Sequence, residues 1–499
     1  MKSWRLHELL GLEAPEHGDD PIIRGLATDS REVRAGSLFL ACRGTESHGL
    51  AYLDQAIERG AVAVAWEPSE RYPHMACSLP SLPVANLSRQ VGSIAARFYA
   101  HPSRGLFALG VTGTDGKTSC THMFAQVARA LGHRCGVLGT IGFGFLDALA
   151  PATHTTPDPV ALQAWLARLA EEGADCLAME VSSHALDQGR IRGVELDAAI
   201  FTNLSRDHLD YHGDLDNYAR AKRRLLDTQG LKALIINADD DYGARWIAEL
   251  ADRRPVVAYA IDRQPASAQW LRAVDIDKSA QGLAFTLRTP DAEYQVRSGR
   301  LGHFNIYNLL AVTAAWLAAG EALPRIVAAM DQIHTVPGRI EPFRAEGKPL
   351  VVVDYAHTPG ALSQVLRAVA EHRPSGGRII CVFGCGGDRD RGKRPQMAAV
   401  AAELADQLIL TDDNPRSESP QDIIADMLAG LPPGRAYQVI HDRATAIDRA
   451  IAMAGAEDVV LIAGKGHEDY QQIGRDKRPF SDREQVARVL GQEALSCSA

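Results

Sequence analysis

The sequence has no run of about twenty consecutive apolar residues, so no membrane-spanning helix is expected. Its first residues, Met1-Lys2-Ser3-Trp4-Arg5-Leu6, carry no apolar core, so no signal peptide is expected either. Cysteine is sparse and scattered. Eight residues, at 42, 77, 120, 135, 176, 381, 385 and 497, form no C-x-x-C pair, and no His/Cys pair completes a zinc site with Cys381 and Cys385. The expectation is a reduced chain in the cytoplasm. Excess positive charge is also missing. At a net charge of −9 no nucleic-acid partner is expected, and an anionic substrate would need a locally basic pocket. There is no internal repeat and no low-complexity tract. The remainder is ordinary for a globular protein, with 46% apolar and 23% charged residues, and 499 residues suggest about three domains, each with its own core.

One stretch organises the rest: Gly110-Val111-Thr112-Gly113-Thr114-Asp115-Gly116-Lys117-Thr118-Ser119. The apolar run Leu106-Phe107-Ala108-Leu109 before it reads as a buried strand, and a helical pattern runs from Lys117 to Leu131 with Gly132 as the stop. Strand, glycine-rich turn and helix form the context of a phosphate-binding loop. Glycines at 110, 113 and 116 would let the backbone approach phosphates, with the helix N-terminus supplying free N–H groups. Lys117 could then reach β- and γ-phosphates, and the Thr118 hydroxyl could hold Mg²⁺. The strict pattern G-x-x-x-x-G-K-[ST] is not met, because Val111 stands five before Gly116. The alternative is an ordinary turn with a solvent-facing lysine.

Upstream, Ser37–Ala41 and Ala61–Ala65 read as strands, Leu53–Arg59 as a helix, and Asn86 as the cap of a helix running to Ala100. The polar turn Thr28-Asp29-Ser30-Arg31 is either solvated or a ligand contact. His101-Pro102-Ser103 breaks the chain and marks a boundary. Downstream, Cys176–Val181 is a buried strand carrying Glu180 near its carboxyl end. There it would either serve a Mg²⁺ shell or pair with Lys or Arg. Ala198–Thr202 leads into the cluster Asp207-His208-Leu209-Asp210-Tyr211-His212, suited to metal and phosphate chemistry or equally to a capped turn. The basic run Ala219–Arg224 has a solvated helix face as its default reading. Leu283–Arg288 and Glu293–Arg297 predict an antiparallel hairpin, hence a mixed central sheet. Asn305 and Asn308 precede an alanine-rich helix at Leu309–Ala319, as caps or as base or ribose contacts.

Past a hinge at Thr335–Glu341, four strands each end in a loop rich in Gly, Asp, Arg or His: Leu350–Asp354, Arg378–Phe383, Gln407–Thr411 and Val459–Ala463. That is a doubly wound domain with a ligand crevice at its strand ends. The fold class is therefore α/β, with three domains: an N-terminal α/β domain, 1–102; a central P-loop mononucleotide-binding domain with a mixed sheet, 103–335; and a C-terminal Rossmann-like domain, 336–499.

Seven motifs, in this order, resemble the Mur ligase family over nearly the whole chain: Thr112–Thr118, Glu180–His184, Asn203–Asp210, Gly302–Asn305, Pro337–Arg339, Asp354–Pro359 and Gly464–Glu468. Asp115 and His154 stand where the family more often has Asn. Asp413-Asn414-Pro415-Arg416 is similar to the tetrad of the diaminopimelate-adding members, whose lysine-adding relatives lack the arginine. A guanidinium fork matches the second carboxylate that diaminopimelate has and lysine does not.

The resemblance implies an ATP-dependent amide ligase of cytoplasmic peptidoglycan precursor synthesis. It would add meso-2,6-diaminopimelate to UDP-N-acetylmuramoyl-L-alanyl-D-glutamate through an acyl phosphate. It implies ATP contacts from Gly113, Thr114, Asp115, Gly116, Lys117, Thr118, Ser119, Asn305, Arg339 and Asp354, and two Mg²⁺ ions on Thr118, Glu180, His208 and a CO₂-derived carbamate of Lys222, with Lys117, Glu180, His208 and Lys222 as the catalytic set. The UDP-sugar dipeptide would meet Thr28, Ser30, Thr45, Glu46, Ser47, Thr155, Thr156, Ser182, Gln188 and Arg190. Diaminopimelate would meet Arg389, Asp413, Asn414, Pro415, Arg416, Gly464 and Glu468. Small-molecule substrates and a monomer are expected. A folate polyglutamate synthetase is disfavoured by the full N-terminal domain and the tetrad. A nucleotide switch is disfavoured by the loops of an amino-acid pocket.

Overall fold

The computed structural model describes residues 3–13, 19–44, 47–75, 77–152 and 154–492, so Thr45 and Glu46 lie outside the described residues. Among these, the three main sheets follow one another along the chain. The first is parallel, in the order Gly25–Ala27, Ser37–Ala41, Ala61–Trp66, Ser81–Pro83. It is covered by the helix Leu87–Phe98, whose Leu87, Val91, Ile94 and Phe98 are buried at helical spacing. Asn86, expected to cap that helix, sits in the left-handed region (φ 53°) and makes no side-chain cap bond.

The central sheet has eleven strands. Seven run parallel, in the order Cys135–Leu138, Cys176–Glu180, Phe107–Thr112, Ala198–Phe201, Ala233–Asn237, Val256–Ala260, Gln269–Ser279. Antiparallel strands extend both edges, including the hairpin Gly282–Arg288/Glu293–Ser298 closed by the turn at Thr289–Ala292. The parallel strands read as unbroken apolar runs because both faces are buried. Leu109, Val111, Ala178, Ile200 and Ile235 pack with the helices Lys117–Leu131 and Phe304–Ala318. Leu177, Met179, Phe201, Leu234 and Ile236 pack on the other side, with Pro159–Glu171, Leu215–Leu226 and Asp241–Leu250. The helix expected from Leu309 begins at Phe304, two residues after Gly302 (φ 87°), which puts Asn305 and Asn308 inside its first two turns.

The third sheet has the order Glu341–Phe343, Leu350–Asp354, Val459–Ala463, Ile379–Phe383, Gln407–Leu410, Gln438–Val439, parallel except for its first strand. Helices cover both faces. The last chain-order strand, Val459–Ala463, inserts between Leu350–Asp354 and Ile379–Phe383. The loops after Asp354, Phe383 and Ala463 are thereby brought side by side at one edge. No helix among the described residues is long and apolar enough to cross a membrane.

Candidate functional site

The phosphate loop turns at Gly113 (φ 147°) and Gly116 (φ 86°). A Cβ at Gly113 would lie 1.8 Å from Thr202 Oγ1, and one at Gly116 would lie 2.7 Å from Asn308 Oδ1. Gly110 is different. It lies within the strand Phe107–Thr112, where a Cβ would press on Leu196 and Leu225, so it is a packing glycine and no part of the cradle. The loop is held by the end of the next strand. Thr114 N–H donates to Asn203 O (2.9 Å), Asp115 N–H to Asn203 Oδ1 (3.0 Å), and Thr202 Oγ1 to Asp115 O (2.6 Å). Lys117 Nζ rests on its own loop, donating to Gly113 O (2.9 Å) and Thr114 O (2.8 Å).

Glu180 is buried, and among the described residues it has no ion-pair partner. Its carboxylate accepts from Thr118 Oγ1 (2.9 Å), Thr140 N–H (2.9 Å) and Thr140 Oγ1 (3.2 Å). A hydroxyl and a carboxylate beside a phosphate loop are the hard oxygen donors Mg²⁺ prefers, with phosphate and water completing its shell. Thr140 carried no signal of its own in the sequence.

The solvated-face reading of the basic helix fails at Lys222, which is 1% exposed. Its Nζ donates to Gly113 O (2.6 Å), the carbonyl that Lys117 also uses, and lies 4.4 Å from the Tyr218 ring centre. Burial foremost, then the positive charge of Lys117, pushes the amine down to about 6, against the pull of Asp207 and Asp115. His208 adopts φ 51° and lies 3.4 Å from Asp207 Oδ2. Its ring contacts His184 and Tyr218, and His184 in turn contacts Tyr211 and His212. His184, His208, Tyr211, His212 and Tyr218 therefore form a cluster of edge-on and tilted rings, and among the described residues no group of three His, Cys, Asp or Glu could hold a metal. Thr118, Glu180, His208, Tyr218 and Lys222 line one cavity of about 300 Å³.

Beyond Glu180 the chain joins Thr155, Thr156, Ser182, Gln188 and Arg190. Thr155 and Thr140 hydroxyls are 3.1 Å apart, and Thr156 Oγ1 donates to Glu180 O (2.8 Å) and accepts from Ser182 N–H (3.1 Å). Arg190 bonds Thr156 O (3.0 Å) and Gln188 Oε1 (2.7 Å). Thr28, Ser30 and Ser47 lie on the first sheet's loops. The Ser30 hydroxyl is committed to Gln55 Oε1 (2.6 Å), and Ser47 is exposed. Glu32, at the end of that turn, feels the charge of Asp158, which follows the Thr155 segment.

A second cavity, of about 630 Å³, runs from Asp115, Gly116 and Ser119 to Asn305, Tyr307 and Asn308, and across to Arg339, Asp354 and Glu371. Asn305 is spoken for, donating to Leu301 O (2.7 Å) and accepting from Asn308 (3.1 Å). Asp354, buried, accepts from Ile340 and Ala356 N–H (both 2.7 Å), and burial lifts it to about 6. Arg339 lines both cavities, lies 4.9 Å over the Tyr355 ring, and its buried Nε has no hydrogen-bond partner among the described residues. Gln126 grips the hinge next to it, pairing its amide with His334 N–H (2.7 Å) and O (3.0 Å).

The Tyr355 ring also contacts His467, tilted at 37°, which leads to the third group. There Asn414 Oδ1 accepts from Gln472 N–H (2.8 Å) and Lys465 Nζ (3.2 Å), which turns its Nδ2 to Glu468 Oε2 (3.0 Å). Lys465, fully buried, also pairs with Glu468 (3.0 Å). Asp413 lies against Gly464, whose Cβ would be 2.7 Å from Asp413 Oδ2. Arg416 (φ 51°) is fixed by N–H to Gln472 O (3.1 Å) and by its carbonyl accepting from Gly474 (2.7 Å), while its Nη1 donates to Gly387 O (2.7 Å). Pro415 O packs on Gly387, and Arg389 Nη1 donates to Asp388 O (3.3 Å).

Three family models match the chain: the Mur ligase family catalytic domain over residues 22–99, the Mur ligase middle domain over 111–316, and the Mur ligase glutamate ligase domain over 338–466. Among curated relatives, the UDP-N-acetylmuramoyl-L-alanyl-D-glutamate–2,6-diaminopimelate ligase of Alkalilimnicola ehrlichii is 50% identical, covering 95% of this chain and 96% of that one. The ligase of the same name from Coxiella burnetii is 45% identical over 98% and 100%. A solved structure of a ligase so named superposes with a TM-score of 0.76 at 36% identity, covering 98% and 99%. The chain belongs to the Mur ligase family.

Proposed function

We propose that the chain is an ATP-dependent ligase that joins meso-2,6-diaminopimelate to the D-glutamyl carboxylate of UDP-N-acetylmuramoyl-L-alanyl-D-glutamate in the cytoplasm, as a monomer. The observation that carries this reading is Arg416, held in a left-handed conformation at the strand-end crevice that also contains Asn414 and Glu468. It is supported by the diaminopimelate ligases that resemble the chain along almost its entire length. Seven free cysteines among the described residues suit a reducing compartment. The proposed division of labour is UDP-sugar binding by residues 1–102, ATP binding by 103–335 and amino-acid binding by 336–499.

In the reaction, the glutamyl carboxylate attacks the γ-phosphorus of ATP and ADP leaves. The amine of diaminopimelate then attacks the acyl phosphate, and the tetrahedral intermediate expels inorganic phosphate to leave the amide. The loop N–H groups and Lys117 cradle the phosphates, and Arg339, whose Nε is unpartnered among the described residues, reaches them from the third unit. Arg416 holds the distal carboxylate and Glu468 the ammonium, so that the reacting amine is oriented. Thr118 and Glu180 would hold one Mg²⁺, and His208 with Lys222 a second, the metal neutralising charge on the transferring phosphoryl group. As an amine Lys222 offers no oxygen; as a carbamate it would. Its burial beside Lys117 disfavours the ammonium form and suits that modification.

Two measurements test this. Phosphate release from ATP in the presence of the UDP-sugar dipeptide is expected with meso-diaminopimelate and not with L-lysine, with the tripeptide product seen by mass; release with lysine alone would overturn the assignment. Intact mass at neutral pH is expected to exceed the sequence mass by one CO₂, lost on acidification and absent in Lys222→Ala, whose kcat falls at least about a hundredfold. An unmodified Lys222 in the active chain would remove the carbamate.

A further inference from the structure

The 630 Å³ cavity has two walls that belong to different units. One is the start of the helix Phe304–Ala318, and the other is the helix Pro359–Ala370 with Glu371. Leu301, buried in the core of the C-terminal unit, and a compact set of polar contacts beside the cavity join those walls. Arg344 donates to Ala280 O (2.7 Å) and Gly299 O (3.1 Å), and His303 N–H donates to Glu371 Oε2 (3.2 Å). At the centre is His372, 1% exposed, with both ring nitrogens engaged across the interface. Nε2 lies 2.7 Å from Gly302 N, and Nδ1 lies 2.7 Å from Ser279 O.

The partners decide the proton. A backbone N–H can only donate and a carbonyl can only accept, so Nε2 must be bare and Nδ1 must carry the hydrogen. One neutral tautomer fits, and the other neutral tautomer fits neither contact. An imidazolium would set a second donor against Gly302 N–H in a buried place, where an opposed donor has no water to turn to. Gly302 is left-handed (φ 87°), and a Cβ there would lie 2.6 Å from the Phe304 ring, so its N–H direction is tied to the turn that opens the helix bearing Asn305 and Asn308.

We propose that His372 is a positioning residue for the nucleotide site: as a neutral Nδ1–H imidazole it fastens the C-terminal unit to the Gly302 turn and so keeps the two walls of the cavity in register. The proposal rests on the nucleotide reading of that cavity. The charged groups around His372 are Glu371 on its own element, Lys278 on the central hairpin strand (3.4 Å from Glu371 Oε2), and Arg344 after the strand Glu341–Phe343. Burial foremost holds the imidazole below its ordinary value; the Ser279 contact and Glu371 raise it, and Lys278 and Arg344 lower it again. The sign follows. The fastened form binds fewer protons than the released form, so fastening is complete above the ordinary imidazole value and is lost as pH falls through the lowered one.

The test uses the full chain, with equilibrium binding of a non-hydrolysable ATP analogue and Mg²⁺ between about pH 7.5 and about pH 5.5, a span that brackets ordinary imidazole titration. His372→Gln supplies a pH-independent acceptor for Gly302, whereas His372→Asn retains only a donor for Ser279. His372→Asn is expected to bind about tenfold more weakly at the upper pH, with faster amide exchange at Gly302. His372→Gln is expected to bind nearly as the wild type does there. On acidification the wild type is expected to lose about three- to tenfold more affinity than His372→Gln; titration of the analogue's own phosphates is common to both and cancels in that comparison. Superimposable pH profiles for the wild type and His372→Gln, or unaltered binding by His372→Asn, would overturn the role given to His372 alone. No binding by the wild type at the upper pH would overturn the nucleotide reading and this role with it.

Discussion

Lys117→Ala is expected to lower kcat about a thousandfold while leaving the melting temperature nearly unchanged. The loop does not depend on this side chain for its shape, because Asn203 and Thr202 hold its backbone through three hydrogen bonds. Lys117 instead rests on Gly113 O and Thr114 O and lines the 300 Å³ cavity, where on the proposed mechanism its ammonium would meet the charge that develops during phosphoryl transfer. A second effect follows from its neighbour. Lys117 is the largest electrostatic influence that lowers Lys222, so its removal is expected to raise the Lys222 amine and reduce the uncharged fraction at neutral pH. Phosphate release and thermal denaturation on one preparation check the first expectation. Turnover retained in Lys117→Ala would make the loop a structural turn.

Arg416→Ala is expected to lower kcat/KM for meso-diaminopimelate more than a hundredfold, the result of losing a desolvated charge pair of about 3 kcal/mol. KM for ATP is expected to stay the same, because Arg416 lies outside both cavities of the phosphate region. The position is prepared for a guanidinium. Gly386 leaves room, since a Cβ there would lie 2.9 Å from Arg416 Nη1, and the hairpin Tyr470–Ile473/Asp476–Pro479 fixes the Arg416 backbone through Gln472 and Gly474. Arg416→Lys keeps the charge but not the planar fork, so it is expected to recover only part of the loss. Steady-state kinetics with each substrate varied in turn would check both variants. A loss confined to KM for ATP would remove Arg416 from the amino-acid pocket.

Local signals were legible at the phosphate loop. The helix from Lys117 to Leu131 and its Gly132 stop appear at the anticipated residues, because helical periodicity and a left-handed stop are written in neighbouring positions. The hairpin around Thr289–Ala292 was legible for the same reason. Other readings needed correction, some through distant partners and some through backbone conformation. Gly110 looked like part of the cradle but is pressed by Leu196 and Leu225, and Asn86 looked like a cap yet its side chain bonds no helix amide. The helix of Asn305 starts earlier than composition suggested because Gly302 sets its first turn. Strands as short as Gln438–Val439 carry no periodic signal and exist only through their neighbour Gln407–Leu410.

The sequence by itself determined which residue types stand at the strand ends, the order of the three units and the glycine-rich turn between strand and helix to which the proposed function assigns phosphate, since each is set by spacing along the chain. The tertiary structure decided charge and proton placement. Lys222 reads as one more cation of a basic helix until Gly113, 109 residues away, and Lys117 surround it. His372 reads as a histidine after a helix until Gly302 and Ser279, 70 and 93 residues away, dictate its tautomer. Burial and hydrogen-bond direction are properties of what folds around a group, and local sequence does not specify them.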